Sequence, residues 1–452
     1  MLTKKIVPNK LISLIMLDIK FIRENKKAVE KNCKNRGVKC DIGRLLELDE
    51  KRRKLVQEVE KLNAEKNKLN EEMKSTEDKS EIIAKGREIK MKMEELEPEL
   101  KKISEEYKEI LYHIPNMHSE DTPIGSDESG NKIIKKVGEL KKFDFKPKDH
   151  IQLGEELGII DTERAAKISG SRFNYLKGEL ALLEFALIQH CFAVLTDENI
   201  LRKIAEKNNL KVDIKPFIPI IPPALVKQET LEKMARLEPK EERYYIPSDD
   251  LYLIGSAEHS VGPIHIGETL EEKNLPARYI GFSPSFRREA GSYGKDTKGI
   301  LRVHQFDKLE IVSFTAPEKG LDEQNFIVAI QEYLIGSLEL PYQVVAICTG
   351  DMAGPDYRQI DIETWMPGQN KYRETNTSDY NTDYQSRRLN TKIKKSDGKL
   401  EYAHMNDATA FAIGRTLIAI LENYQQADGS VKIPEILRKY MPGNTDVIKN
   451  KK

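Results

Sequence analysis

Phe286-Arg287-Arg288-Glu289-Ala290-Gly291-Ser292 and, after a polar loop, Arg302-Val303-His304-Gln305-Phe306-Asp307-Lys308-Leu309-Glu310 read as two strands of one hairpin. Arginines, an aromatic ring and carboxylates share that hairpin. Such a set suits a ligand carrying a triphosphate, a base and an amine. The loop, Gly291 to Gly299, carries Lys295 and Lys298 and reads as a basic segment able to close over an anion. Taken alone, the stretch reads equally well as an exposed hairpin with an ion-pair network.

On both sides of the hairpin the pattern is α+β. Glu179 to Leu195 is a strongly apolar run of helical length. Phe217 to Val226 reads as a strand interrupted by Pro222 and Pro223, which places it at a sheet edge. Strands are also expected at Leu251–Ile254, Tyr279–Phe282, Leu309–Phe314 and Asp361–Met366, and a helix from Ala410 to Gln425. Strands in this order, with helices interspersed, predict an antiparallel sheet backed by helices. Neither a GxGxxG nor a GxxxxGK[ST] motif occurs in the right context.

Toward the N-terminus the periodicity changes. Leu48, Leu55, Leu62 and Leu69 recur every seven residues. Ile89, Met93, Leu96, Leu100, Ile103, Tyr107 and Ile110 alternate steps of four and three. Both are the seam of a coiled coil. The polar break Lys74–Ser80 predicts a long antiparallel hairpin of two helices. A parallel dimerisation zipper is the competing reading, and it has no use for a break. Leu17 to Arg44 reads as a small helical base. The segment from Pro115 to about residue 140 is rich in turn formers and holds the domain boundary. Three segments are expected: an extension over 1–15, a helical arm domain over 16–125 and an α+β domain over 126–452.

The 452 residues are 33% charged with a formal net charge of +0, so no strongly cationic module is present. Any nucleic-acid contact must come from a local stripe. Four scattered cysteines lack zinc-ligand spacing and read as reduced thiols. The patch Leu11–Leu17 is too short to span a bilayer and lacks a cleavage site, so the chain reads as cytoplasmic with no membrane partner.

Candidate chemistry lies in the second half. Arg287 and Arg415 are suited to bidentate phosphate contacts. Glu374 and Thr377 offer oxygens to a divalent ion. Phe306 can stack on a base, Glu258 and Glu310 can grip an ammonium, and Ser256 and Thr409 offer hydroxyls. Each alone is an ordinary surface or core residue; their coincidence carries the functional reading.

From about Met16 onward the chain resembles the seryl-tRNA synthetases, a class II aminoacyl-tRNA synthetase family. The segments MLDIKFIRENKKAV, GSRFNYLKG, PPALV, FRREAGSYGKDTKGILRVHQFDKLE, TGDM, YRET, DYQSRR and IGRTLIAILENYQ carry the likeness, in order, over nearly the whole chain. The resemblance implies a tRNA-binding helical hairpin before a class II antiparallel sheet flanked by helices. It implies ATP-dependent activation of L-serine to seryl-adenylate and transfer to tRNA(Ser), with tRNA(Sec) left open as a second acceptor. Mg²⁺ is the implied cofactor and a homodimer the implied assembly, with Pro223 as the motif 1 proline at its interface.

The resemblance also distributes roles. Arg287, Glu374 and Arg415 correspond to catalytic positions. Arg287, Arg288, Glu289, Arg302, Val303 and Phe306 correspond to ATP contacts in motif 2. Glu374, Thr375, Asn376 and Thr377 form the ATP and metal segment, with Glu374 and Thr377 as metal ligands, and Arg415 is the motif 3 arginine at the ATP. Ser256, Ala257, Glu258, Arg287, Glu310, Asp407 and Thr409 correspond to the serine side.

Several positions depart from the family pattern. Thr-x-Glu reads Ser256-Ala257-Glu258, and the usual Asn before Ser or Thr reads Asp407-Ala408-Thr409. The usual Ser-Ser-Cys-Ser-Asn-Cys reads Asn376-Thr377-Ser378-Asp379-Tyr380-Asn381. Extra sequence lies near Asn199 to Lys215. The changes fall around the amino-acid pocket and bear on serine affinity more than on ATP. They leave open a paralogue that activates an amino acid for another acceptor, and a non-catalytic RNA-binding relative.

Overall fold

The computed structural model describes residues 17–75, 79–290 and 298–450. The expected extension over 1–15, the turn around Glu77 and the loop position Lys295 lie outside these. Contacts divide the chain into two compact units, Met1–Pro115 and Asn116–Lys452. The division falls before the expected 125/126. Asn116 already donates to the carbonyls of Pro355 and Asn381 at 2.8 and 2.9 Å, and the Ser119 amide to Tyr357 O at 2.8 Å, so 116–125 is pinned to the second unit.

The first unit begins with α1 (Ile19–Glu24), capped by the Asp18 carboxylate accepting from the Lys20 amide, and α2 (Lys26–Asn35). Gly37, at φ +67°, closes α2 while the Val38 amide returns to Cys33 O at 2.9 Å. Then come α3 (Ile42–Ser75) and α4 (Ser80–His113), each of 34 residues and about 50 Å long at 1.5 Å per residue. Leu45, Leu48, Ile89, Met93, Ile103 and Tyr107 are buried in the seam, whereas Leu55, Leu62 and Leu69 are only half-buried. Two helices alone cover one side of such a side chain. Pro98 sits inside α4 without ending it. Arg44 bonds both oxygens of Glu106 at 2.8 and 3.0 Å, fixing the register of the arms. The buried Asp49 faces Arg23, Arg52 and Arg53 at 3.1, 3.6 and 3.3 Å and ties the base to α3.

The second unit is built on an eight-stranded sheet. Its strands are β1 (Lys132–Val137), β2 (Ile218–Ile220), β3 (Ala277–Phe286), β4 (Gln305–Thr315), β5 (Tyr342–Ala346), β6 (Arg358–Met366), β7 (Lys371–Thr382) and β8 (His404–Ala412). Their spatial order is β1-β5-β6-β7-β8-β4-β3-β2. All ladders are antiparallel except β2–β3. On one face pack α5 (Glu179–Leu195), α6 (Gly320–Ser337) and α7 (Ile413–Tyr424). Leu183, Leu187, Phe326, Ile330, Leu417 and Ile420 meet Ile280, Leu309, Ile311, Ile360 and Ile362 there in one core. On the opposite face Val312 and Phe314 pack with Met234, Ala257, Val261 and Met405 in a second core, and the site occupies the rest of that face.

Three expected elements change. The strands of the hairpin end at Phe286 and resume at Gln305, so Arg287, Arg288, Glu289, Arg302 and Val303 lie outside the ladder. The strand over Phe217–Val226 is two strands: β2 edges the large sheet, and Leu225–Lys227 pairs with Leu251–Leu253 in a separate three-stranded sheet. Pro222 and Pro223 have no amide to continue one ladder. The helix expected from Ala410 begins at Ile413, because Phe411 and Ala412 still pair with Leu309 and Lys308 of β4.

His190 of α5 is buried, with its Nε2 2.8 Å from Ser337 Oγ, and burial pushes its pKa down to about 4. The unfolded chain protonates this imidazole near the usual 6.5 and the folded chain does not. Its contribution is therefore present above pH 6.5 and lost as pH falls toward 4, roughly 3 kcal/mol in all. Thermal unfolding of His190→Gln followed from pH 7 to 4.5 should show a shallower fall in Tm than the unaltered protein; parallel curves would contradict it. No single helix among the described residues is long and apolar enough to cross a membrane.

Candidate active site

Strand alternation builds the site's floor. Phe306, Lys308 and Glu310 alternate along β4 on the face away from the core. Across the ladder, Glu310 is paired with Thr409 of β8, and Asp407 with Asp379 of β7. A cavity of about 550 Å³ opens above these strands.

Two β-bulges decide which side chains reach it. Between β6 and β7, Asp361, Ile362 and Glu363 oppose Thr377, Asn376 and Glu374, leaving Thr375 as the extra residue. Strict alternation would have put Thr375 on the cavity face; the bulge brings Glu374 there with Thr377 and Asp379. Between β4 and β8, Ala410 is the extra residue, so Asp407, Thr409 and Ala412 share the cavity face.

Of the residues singled out from sequence, Arg287, Glu289, Arg302, Val303, Phe306, Glu374, Thr377, Arg415, Glu258, Glu310, Asp407 and Thr409 line the cavity together. Five others do not. Arg288 is exposed and stacks 4.6 Å over the Tyr244 ring, with its Nε on Arg243 O. Thr375 is buried with its hydroxyl 2.8 Å from that of Thr364. Asn376 donates to Thr409 O and Ala410 O at 3.3 and 2.7 Å, bracing the β8 bulge. Ala257 is buried against Gly281, and Ser256 lies just behind the lining, accepting from Lys308 Nζ at 3.2 Å.

The cavity is polarised. Arg287 lies 5.4 Å over the Phe306 ring and donates from Nε to Gly255 O at 3.1 Å. Arg415 contacts Glu374 at both its backbone oxygen (3.0 Å) and its carboxylate (3.1 Å). Arg302, Glu374 and Arg415 also line an adjoining hollow of about 540 Å³ that reaches Asp361 and Glu363. Elsewhere, oxygens of Glu258, Glu310 and Asp407 lie within 4.8 Å of one another, all buried. Burial opposes ionisation of Glu258, and the charges of Arg236, His259 and Lys308 outweigh it, holding that carboxyl down at about 2. Burial drives Glu310 the other way, with Lys308 at 2.6 Å only partly offsetting it. Asp407 is also raised, by burial and then by the Glu258 charge.

Sequence reading missed Arg236, Arg243, Lys308 and Asp356 and gave Asp379 only as part of a departing segment; all five line the cavity as well. Lys308 was within reach, since it stands midway between Phe306 and Glu310 on one strand. Arg236 had no signal: it follows the short helix Gln228–Lys233 in an aperiodic segment.

Two family models match the chain. Residues 16–118 match the seryl-tRNA synthetase N-terminal domain, and residues 242–424 the tRNA synthetase class II core domain (G, H, P, S and T). A serine–tRNA ligase of Fusobacterium nucleatum is 48% identical over 438 residues, covering 96% of this chain and 100% of that protein. The crystal structure of seryl-tRNA synthetase from Pyrococcus horikoshii complexed with ATP is similar at a TM-score of 0.83 and 38% identity, over 97% of this chain and 100% of that one. The cytoplasmic serine–tRNA ligase of Naegleria fowleri in complex with AMP is similar at 0.79 and 30%, over 97% and 99%.

Proposed function

The chain belongs to the seryl-tRNA synthetase family of class II enzymes and ligates serine to tRNA with ATP, and on that premise we propose how its residues divide the reaction. Serine's carboxylate oxygen attacks the α-phosphorus of ATP; the bond to the bridging oxygen breaks and pyrophosphate leaves. A ribose hydroxyl of the tRNA's terminal adenosine then attacks the carbonyl carbon of the adenylate, and AMP leaves with the bonding pair. A carboxylate is already ionised at neutral pH, so the first step needs no general base. Its barrier falls by holding the reactants together and neutralising charge.

One observation carries the assignment: arginines and a carboxylate cluster lie in a single cavity. Arg287 and Arg415 hold phosphate oxygens, with Arg287 at the α-phosphate. Phe306 stacks on the adenine and Glu289 reads its amino group. Glu258 and Glu310 grip serine's ammonium, and Thr409 meets its hydroxyl. A site that hydrogen-bonds the hydroxyl rejects alanine by leaving polar groups unpaired. Glu374 and Thr377 offer oxygens suited to a hard cation; Thr377 Oγ1 donates to Asp361 at 2.7 Å and accepts from Gln359 Nε2 at 3.2 Å, which leaves it one lone pair. Mg²⁺ fits there, and when bound supplies positive charge to the phosphates. A non-hydrolysable seryl-adenylate sulfamate is expected to compete with both serine and ATP. Competition against ATP alone would place serine elsewhere.

Residues 17–115 would serve as the tRNA(Ser) reader, α3 and α4 lying along phosphates and shape rather than base edges. A paralogue serving a small acceptor would have no use for such an arm. Charging assays with tRNA(Sec) beside tRNA(Ser) read whether the arm admits a second acceptor.

A homodimer is the third part of the proposal. Leu182 and Phe185 of α5 are 40% and 59% exposed, and Ile218 on edge strand β2 and Ile221 are 56% and 82% exposed, with Pro223 also exposed beside them. An apolar helix and an open strand edge call for a second copy. Phe185→Asp with Ile221→Asp is expected to weaken the dimer about 10²-fold or more, since each buried apolar side chain contributes about 1.5–3 kcal/mol. Sedimentation of the unaltered protein as an active monomer at micromolar concentration would contradict it.

A further inference from the structure

We propose that Arg236 is the positioning residue of the serine subsite, bridging the carboxylate that grips the ammonium to the aspartates beyond it. The inference rests on the assignment of Glu258 and Asp407 to serine. Arg236 Nε donates to Glu258 Oε1. Its Nη2 lies 3.6 Å from Asp407 Oδ2 and 3.7 Å from Asp356 Oδ1. Asp407 Oδ1 accepts from Asn381 Nδ2, whereas Oδ2 has no hydrogen bond and faces the guanidinium. All four groups are buried or nearly so: Arg236 13%, Glu258 8%, Asp356 1% and Asp407 3% exposed by side chain.

The backbone is arranged to deliver this side chain. The helix Gln228–Lys233 closes with the Arg236 amide returning to Leu231 O at 2.9 Å. Ala235 sits at φ +55°, where glycine is the usual residue. Such strain persists only where the surroundings hold it. Gln385 Nε2 on Met234 O and Arg388 on Glu232 O brace the turn from the other side. The Arg236 carbonyl accepts from Arg243 Nε at 2.9 Å, so the segment is fixed before and after the guanidinium.

Charge explains the need. Asp407 and Asp379 are cross-strand partners, and both stand where the family pattern has an uncharged residue. Asp356 adds a third buried aspartate. Removing one partner of a buried charge pair leaves the other uncompensated, whereas removing both is far milder. Arg236 therefore opposes the rise that burial and the Glu258 charge impose on the Asp407 carboxyl, and keeps Glu258 aimed at the ammonium. A lysine keeps the charge but cannot bridge two carboxylates with a planar fork.

Serine-dependent ATP–pyrophosphate exchange tests this, with thermal unfolding run on each variant. Arg236→Gln is expected to raise the serine KM about 10²-fold while the ATP KM moves less than about threefold. Arg236→Lys should raise the serine KM about tenfold. Combining Arg236→Gln with Asp407→Asn should recover about tenfold or more of the loss, because the two changes are coupled. If Arg236→Gln does not fold, Arg236→Lys and the double variant carry the same comparison. A serine KM untouched in the Gln and Lys variants, serine and ATP KM rising together, or a double variant no better than the product of its parents would each overturn the proposal. Absence of serine-dependent exchange in the unaltered protein would overturn the serine assignment beneath it as well.

Discussion

Arg287→Ala is expected to lower serine-dependent ATP–pyrophosphate exchange by about 10²-fold or more, the scale seen when one preorganised donor to developing charge is removed. The guanidinium is held before substrate arrives, by Gly255 O at 3.1 Å and by the Phe306 ring beneath it. A group already oriented costs no reorganisation as charge shifts onto the α-phosphoryl oxygens. Unlike Arg236, it makes no ion pair among the described residues, and its charge reaches the buried Glu374 and Glu310 only as one contribution beside those of Arg415 and Lys308. The variant should therefore fold, with a Tm close to that of the unaltered protein. Arg287→Lys should recover only part of the rate, because a point charge cannot reproduce the planar fork. Exchange near the unaltered rate in Arg287→Ala would remove the residue from the phosphoryl-transfer site.

The second large effect separates the two half-reactions. Replacing Arg52–Lys108 by a short linker removes most of α3 and α4 but keeps Leu45, Leu48 and Leu111, which are buried at the base, and the Arg23–Asp49 pair at 3.1 Å. The second unit has its own core and every proposed ATP and serine ligand. Adenylation should persist. Transfer to tRNA(Ser) should fall by about 10²-fold or more in kcat/KM through lost phosphate contacts, and its remaining salt dependence should be shallower. Charging by the deletion variant at the unaltered kcat/KM would show that the arm is not the reader.

The arm was legible because a seven-residue leucine repeat admits few structures, and α3 and α4, which lie on either side of the polar break, pack against each other. Most of the cavity was legible too, since Arg287, Phe306 and Glu310 sit within one short stretch that folds on itself. What escaped depends on partners distant in sequence. A bulge is a property of two strands in register, so nothing within Glu374-Thr375-Asn376-Thr377 shows that Thr375 and Asn376 turn inward while Glu374 and Thr377 share a face. The end of β8 is similar: the small residues Ala410 and Ala412 suit the start of a helix, and only the pairing of Phe411 and Ala412 with Leu309 and Lys308 keeps the segment in the strand. Arg236 is the extreme case. Its meaning lies in Glu258, Asp356 and Asp407, which reach it from three other segments. The departure at Asp407 looked like an isolated added charge in the sequence; beside Arg236 it is half of a pair.

The most direct test of the account is ATP–pyrophosphate exchange by the unaltered protein with serine, threonine, alanine and glycine offered in turn. Serine should support exchange far better than the other three: the proposed contact of Thr409 with its hydroxyl is lost with alanine and glycine, and threonine brings a methyl that such a pocket must exclude. Exchange supported by one of the other amino acids and not by serine would contradict it.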